Sequence, residues 1–387
     1  MLIYTGSLVV AVFLAPLIFN LFCMWRDLDR IRCLRASRNA DPLPLPPDSV
    51  APLVSILLAA WDEEATLSSS VEAIRALRYP RIEIVLCAGG TDRTWEIAER
   101  IATGGGLILL KQQAGEGKQR CLQRCFERSS GEIIYLLDAG TRITDAAFAA
   151  VLGPILSGRE QAVTSSPCTP LPGQSENPFV VSQCATRIYT SLRHPAYCSG
   201  LLGASAAIRR GVLEKAGGFD PAIRAGGDFE LGRRLLQLGV RIRFEFEGTF
   251  PFQFHTQVRS YIRQQSRWIR NVVVHGLRFG AYGDVAKSLL TSAIGLAMLV
   301  LPFAALALAI SPGVPAEAAG LCTAVWLFGF MHALLSRFRY VIVASNWVGF
   351  SAGPRVLALV PFYLLVDFVA WTRPLFEYPS RTLRERW

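Results

Sequence analysis

The feature that most limits what this chain can fold into is where charge is missing. Residues 2–25 (LIYTGSLVVAVFLAPLIFNLFCMW) contain no Asp, Glu, Lys or Arg. At about 1.5 Å per residue, a helix of that length crosses a ~30 Å hydrocarbon core. Residues 288–310 are equally free of charge, 318–335 form another apolar block, and 356–371 form a shorter one that carries Pro361 and Asp367. Between residues 40 and 285 the pattern is that of an ordinary water-facing domain. The composition agrees: 51% of residues are hydrophobic and 18% charged, against roughly 25% charged in a soluble domain. Disorder is excluded, and a purely soluble protein is disfavoured.

The arginines orient the first segment. No Lys or Arg precedes it, whereas Arg26, Arg30, Arg32, Arg35 and Arg38 follow it. A cleaved leader has a basic start and a small-residue cut site, the reverse of this arrangement. The excess of positive charge on the cytoplasmic side therefore puts the N-terminus outside and the large domain in the cytoplasm. The net charge of +10 crowds the edges of apolar runs, which fits a lipid bilayer and not nucleic acid. The expected organisation is a membrane helix at 1–25, a basic then proline-rich linker at 26–52, and a globular domain at 53–254. An amphipathic helix at 255–280 and membrane helices at 288–310 and 318–335 follow. Residues 340–371 are either interfacial, re-entrant or spanning, and 372–387 form a basic tail.

The nine cysteines form no Cys-x-x-Cys pair, and there are only four histidines, so a zinc ribbon or finger is not expected. Cys121 and Cys125 lie one helical turn apart, but nothing else nearby in the sequence completes a metal site.

Within the globular stretch, strand-like runs alternate with helical ones. Strands are expected at 53–59, 82–87, 107–110 and 133–137, and helices at 64–77, 94–102 and 118–128. Strands separated by helices of ~10–15 residues imply a largely parallel α/β sheet. Such sheets bind ligands beyond the carboxyl ends of their strands. Polar clusters fall at those ends: Trp61-Asp62-Glu63-Glu64, Gly89-Gly90-Thr91-Asp92 and Asp138-Ala139-Gly140-Thr141. Convergent carboxylates repel one another unless a divalent cation bridges them to a diphosphate. The competing reading is that each acid caps the helix after it. For Asp92 the two readings are evenly balanced; for Asp138 capping is weaker, because Thr144 and Asp145 already serve the next helix.

Gly115-Glu116-Gly117-Lys118 opens a helix and favours an anion there, although its spacing is not that of a P-loop. Asp228 stands at the start of another helix, either as a cap or as a carboxylate able to take a proton from an attacking alcohol. In 255–280, Gln264, Arg267 and Trp268 share one helical face, with arginines between apolar positions as in an interfacial helix.

In this order, these residues resemble an integral-membrane family 2 glycosyltransferase with a GT-A catalytic domain. The resemblance covers roughly residues 50–275. It rests on Trp61-Asp62-Glu63-Glu64, Gly89-Gly90-Thr91-Asp92, Gly117-Lys118, Asp138, Gly203-Ala204-Ser205, Gly217-Gly218-Phe219-Asp220, Asp228 and Gln264-x-x-Arg267-Trp268. It implies a Rossmann-like mixed sheet with one N-terminal and two to three C-terminal membrane helices. It also implies sugar transfer with inversion from a nucleotide sugar, a UDP-sugar by family analogy, to a membrane lipid. Trp61, Glu63, Asp92, Lys118 and Asp138 would bind the donor, with Asp138 on Mg or Mn. Asp228 would be the catalytic base, and Gly203, Ser205, Gln264, Arg267 and Trp268 would line the acceptor and diphosphate side.

Three positions depart from the family pattern. Cys87-Ala88 replaces the usual Asp-Asp, Asp138-Ala139-Gly140 lacks the second acid of Asp-x-Asp, and Gly227-Asp228 replaces Glu-Asp. Ceramide glucosyltransferases look similar in the metal motif and in the irregular first acidic site. Two alternatives stand beside this reading. One is a processive polysaccharide synthase of the cellulose, chitin or hyaluronan type. The other is a catalytically degenerate, sugar-nucleotide-binding membrane scaffold.

Overall fold

The computed structural model describes residues 2–38, 50–166, 168–348 and 353–377. Most of the proline-rich linker and the end of the basic tail lie outside the described residues. The chain divides into two units. One comprises the described residues of Met1–Ala40, Gly173–Tyr189 and Phe254–Arg386; the other comprises those of Asp41–Pro172 and Thr190–Gln253.

The elements begin with α1 (Leu2–Arg38), then β1 (Val54–Trp61), α2 (Leu67–Arg75), β2 (Ile82–Gly89), α3 (Thr94–Thr103), β3 (Leu107–Lys111), α4 (Lys118–Arg128), β4 (Ile133–Asp138) and α5 (Asp145–Leu156). There follow β5 (Ala162–Thr164), β6 (Thr169–Pro170), α6 (Pro178–Leu192), β7 (Tyr197–Cys198), β8 (Ser205–Arg209), α7 (Arg210–Lys215), α8 (Gly227–Gln237), β9 (Ile242–Phe244) and β10 (Pro251–Phe252). The chain continues in α9 (Val258–Arg278), α10 (Tyr282–Ile310), α11 (Ala316–Val348) and α12 (Pro354–Glu377).

In the α/β unit the main sheet has the order β3-β2-β1-β4-β8-β5-β9-β7. The half from β3 to β4 is parallel, as the alternation of strands and helices requires. Beyond β4 the pairing turns mixed: β8 runs antiparallel to both β4 and β5, while β5 and β9 are parallel. That reversal is invisible to periodicity, because β5, β7 and β9 are too short to carry a pattern. The central strands are apolar without alternation because helices cover both faces. Ile56, Leu58, Leu86, Tyr135 and Phe148 fill one side, and Leu57, Val85, Leu122, Ile134 and Phe219 the other. Helix α5 is capped by Thr144, whose hydroxyl accepts from the Ala147 N–H at 3.3 Å.

The register sets the site. Trp61 on β1 pairs with Gly89 on β2, and Ala59 pairs with Asp138 on β4. The carboxyl ends of three strands therefore finish at nearly one level, and the loops that leave them open on the same edge.

In the helical unit, α1 continues through Arg38, so residues 26–38, expected to be linker, extend the first helix. Among the described residues, three helices are long and apolar enough to cross a membrane: Tyr282–Ile310, Ala316–Val348 and Pro354–Glu377. They mark the chain as a membrane protein. Residues 340–348, one of the segments expected at the interface, are the end of α11, and 354–377 form a single helix. Asp367, which argued against a span there, is 2% exposed. It accepts from Tyr261 Oη at 2.5 Å and pairs with Arg337. An acid in an apolar helix is tolerated when it turns inward to a partner of opposite charge. The amphipathic α9 packs Tyr261 among Phe179 and Tyr363, and Glu377 joins it through Ser266 at 2.9 Å and Arg270 at 3.2 Å.

Candidate active site

Two loops at the carboxyl edge of the sheet are stitched together by their own acids. Asp62 adopts a left-handed backbone (φ 57°), a conformation Asp tolerates better than most residues. Its carboxylate accepts from the Thr91 N–H at 2.6 Å. Asp92 accepts from the Glu64 N–H at 3.1 Å and the Thr94 N–H at 2.9 Å. Glu64 in turn takes the side chain of Arg93 at 3.1 Å, and the Glu63 N–H donates to Thr94 Oγ1 at 2.7 Å. Desolvation opposes the charge on Asp92, and the hydrogen bonds from Thr94 and Glu64 together outweigh it, holding this carboxyl below its ordinary range. Asp92 thus tethers the start of α3 to the neighbouring loop from just ahead of the N-cap position, Arg93, which has no side-chain cap of its own.

Glu63 behaves differently. Burial first, and then the nearby negative charges of Asp138 and Asp92, raise its carboxyl above the usual range, against the hydrogen bond from Thr66 and the charge of Lys118. The Thr66 hydroxyl donates to its Oε2 at 2.6 Å. Asp138, at the end of β4, accepts from Lys118 Nζ at the start of α4. Three residues expected on the donor side, Glu63, Lys118 and Asp138, therefore lie within electrostatic reach of one another. Trp61 ends β1 above Gly89, whose missing Cβ would stand 3.2 Å from the Trp61 ring.

Asp138 is linked onward to the second half of the site. Its N–H donates to Ala204 O at 3.4 Å, and the Gly203 N–H donates to Asp228 Oδ2 at 3.2 Å. Asp228 Oδ1 also accepts from the Phe229 N–H at 2.9 Å. The N-cap of α8 is Gly226, in a left-handed conformation with no side-chain cap. Asp228 is thus not the cap; it lies in the first turn, half-buried, with its carboxylate aimed at the Gly203 loop. A Cβ on Gly203 would lie 2.9 Å from Asp228 Cβ, so only glycine permits this approach.

Ser205 requires a correction. Expected on the acceptor side, it is fully buried in β8. Its hydroxyl is shared with Tyr135 Oη at 2.8 Å and Ser165 Oγ at 3.0 Å. It holds the sheet together and faces no crevice. Gln264, Arg267 and Trp268 lie on α9 in the helical unit. There the Arg187 guanidinium stands 5.4 Å from the Trp268 ring, a cation–π arrangement.

Sequence reasoning missed two residues of the crevice. A Cβ on Gly140 would lie 3.6 Å from Gln253 Oε1 and 3.7 Å from Glu63 Oε2. Gln253 is thus a further oxygen donor beside the acids, brought there by the Thr141–Phe252 bridge. Gln112, just beyond β3, is 7% exposed, and its buried Oε1 has no hydrogen-bond partner. A polar residue following a strand in a parallel sheet was a readable signal for Gln112. Nothing in the sequence pointed to Gln253.

Residues 51–271 match the family model described as glycosyltransferase like family 2. Among curated proteins the chain is 28% identical over 244 residues to the probable glycosyltransferase YdaM of Bacillus subtilis, covering 57% of this chain and 55% of that one. It is 30% identical over 95 residues to the poly-beta-1,6-N-acetyl-D-glucosamine synthase of Staphylococcus epidermidis, covering 24% of this chain and 23% of that one. The chain thus spans about half, or less, of the length of these curated relatives. Among solved structures, the mannosyltransferase PcManGT of Pyrobaculum calidifontis, in complex with GDP-Man and Mn2+, aligns over 96% of this chain and 97% of its own. The TM-score is 0.50 at 17% identity, a likeness of fold. The match covers the whole mixed sheet, its acidic edge and α9 through Asn271, and the chain belongs to the family 2 glycosyltransferases, with a GT-A α/β domain and three C-terminal apolar helices.

Proposed function

We propose that the protein transfers a sugar, with inversion, from a nucleotide-sugar donor to a membrane lipid. The observation that carries this reading is the backbone-held carboxylate of Asp228, tied through the Gly203-Ala204 loop to Asp138. Its two oxygens accept only main-chain N–H groups among the hydrogen bonds described, which fixes its position while leaving lone pairs for a substrate hydroxyl. In the proposed reaction Asp228 takes the proton of the acceptor alcohol as its oxygen attacks the anomeric carbon. The nucleoside diphosphate departs from the opposite face.

Trp61 offers a flat apolar surface at the end of β1 for the nucleoside, and Glu63 and Asp92 border the same edge. Lys118, at the N-terminus of α4, faces the departing diphosphate, where its charge and the helix dipole both favour an anion. The donor set around Gly140 consists of oxygens: Asp138, Glu63 and Gln253. This set suits a hard divalent ion such as Mg or Mn, and PcManGT was solved with Mn2+. When bound there, such an ion neutralises charge developing on the diphosphate. The Gln264-Arg267-Trp268 face of α9 would serve the acceptor side, and the arginines of 26–38 would keep the α/β unit cytoplasmic with the N-terminus outside.

A second reading, polymer synthesis, is favoured by the 95-residue match to the Staphylococcus polysaccharide synthase. One experiment addresses both. Nucleotide release by the detergent-purified protein is measured with lipid extract across UDP- and GDP-sugars, with Mn2+ or EDTA, beside Asp228→Asn. Mass spectrometry of the product distinguishes a single glycosyl lipid from a polymer. Metal-dependent release lost in Asp228→Asn supports a transferase. No release from any donor, with nucleotide binding retained, would instead support the scaffold reading.

A further inference from the structure

The sequence shows Cys121 and Cys125 one turn apart with nothing to complete a site, and the fold supplies what is missing. Cys87 on β2, Cys121 in the first turn of α4 and Glu116 in the loop before it bring two sulfurs and a carboxylate oxygen within 4.8 Å of one another. Cys125, one turn further along α4, points its thiol to Leu58 O at 3.8 Å. All three cysteines are fully buried, and the Glu116 side chain is 7% exposed. This cluster lies on the α4 side of the sheet and is distinct from the oxygen donors around Gly140.

We propose that Cys87, Cys121 and Glu116 form a structural site for a thiophilic divalent metal, Zn2+, with a water completing the tetrahedron, which anchors the start of α4 to the sheet. Zinc binds thiolate sulfur at about 2.3 Å and carboxylate oxygen at about 2.0–2.2 Å, so ligand atoms in a tetrahedral site stand roughly 3.5–3.8 Å apart. The present spacing closes to that with side-chain adjustments of about 1 Å or less. Thiolates select zinc over the hard cations that suit an all-oxygen set.

The surroundings already orient the carboxylate. Glu116 Oε1 accepts from Arg124 Nη1 at 2.7 Å and Oε2 from the Gln113 N–H at 2.9 Å. Each oxygen keeps a second lone pair, and outer partners of this kind fix ligand orientation in metal sites. Charge is balanced as well. Two thiolates and one carboxylate are offset by Arg124 and a divalent ion. Binding releases one proton each from Cys87 and Cys121 to solvent. The structural consequence is local: the loop 113–117 and the first turn of α4, which carries Lys118 to Asp138, become pinned to β2.

The test uses the full chain in detergent, loaded with Co2+ as a spectroscopic substitute for Zn2+. The expected result is about one tightly held ion per chain, with thiolate-to-cobalt charge-transfer absorption and the intense visible bands of a tetrahedral centre. Zn2+ should displace it. Cys121→Ala should abolish the thiolate band. Glu116→Gln, a loop substitution that leaves the core intact, should weaken binding by about 10-fold or more. Asp138→Asn and Cys198→Ala should retain the band, which separates this site from the oxygen-lined one and from an unrelated buried thiol. The proposal is overturned by any of three results: no thiolate band while the cysteines titrate as free thiols, a band that survives both Cys121→Ala and Glu116→Gln, or recovery of these cysteines as a disulfide. None of these readouts depends on turnover, so failure here leaves the transferase reading untouched.

Discussion

Replacing Gly203 by alanine tests the proposed base through space alone. The added Cβ would stand 2.9 Å from Asp228 Cβ, 3.3 Å from its Oδ2 and 3.5 Å from its Cγ. Carbon atoms in contact prefer about 3.5–4.0 Å, so the shortfall is roughly 0.6–1.1 Å at the Cβ pair. The backbone cannot easily absorb it. Asp228 lies in the first turn of α8, and the preceding residue, Gly227, is pressed onto α4 so closely that its own Cβ would meet Gln119 Cδ at 2.1 Å. The side chain of Asp228 therefore gives way, moving its carboxylate by about 1 Å. A displacement of that size at a reacting group costs on the order of 100-fold in rate, or about 2.7 kcal/mol. Overpacking should also lower stability by about 1–3 kcal/mol. The assay is steady-state nucleotide release beside a donor-binding titration and a thermal melt. Turnover should fall about 100-fold while donor affinity changes little, since Trp61, Glu63, Lys118 and Asp138 lie on other elements. Turnover within a factor of about two of the wild type, in a protein whose melting point has dropped, would refute the claim that Asp228 acts from this position.

Three further outcomes follow from the geometry. Ser205→Ala should destabilise the fold by about 1–3 kcal/mol, because the buried Tyr135 hydroxyl loses its partner, yet leave donor KM unchanged; a large KM rise at intact stability would return Ser205 to the site. Burial holds the folded-state pKa of Glu63 above the ordinary value of 4.5, which favours the protonated fold, and that advantage fades as pH rises from about 4.5 through the raised value. Glu63→Gln should consequently raise the melting temperature at neutral pH, leave it unchanged in acid below that window, and reduce turnover; equal melting shifts at both pH values would contradict the account. Trp268→Ala removes the ring that faces Arg187 and should cost only about 0.5–1 kcal/mol in stability. If its face serves the acceptor, KM for the acceptor should rise with donor binding intact, and an effect on donor binding alone would sink that assignment.

The parallel half of the sheet was readable because local signals there agree. Apolar runs of strand length end in Trp61, Gly89 and Asp138, with helical patterns between them. Helix α4 begins at Lys118 and ends at Arg128, the very bounds expected from its pattern, because Gly117 precedes it and its buried positions recur at helical spacing. Helix α2 begins at Leu67 and not at residue 64, because Glu63 and Glu64 are engaged by Thr66 and Arg93. Asp367 left the reading of the last apolar segment open, because its charge is visible in sequence and its partner, Arg337, is thirty residues away.

What the sequence determined alone is the charge-free spans, the strand–helix alternation and the ordered polar motifs, all of which are local and repeat with the period of their element. Only the tertiary structure decided which of those polar residues share a crevice. It turned Asp62, Asp92 and Glu64 to stitching two loops, buried Ser205 under Tyr135, seated Asp228 against Gly203, placed Gln253 beside Gly140 and gathered Cys87 with Cys121 and Glu116. The physical reason is register: pairing between strands fixes which residues meet across the sheet, and neighbours set by long-range hydrogen bonds leave no mark on the spacing along the chain.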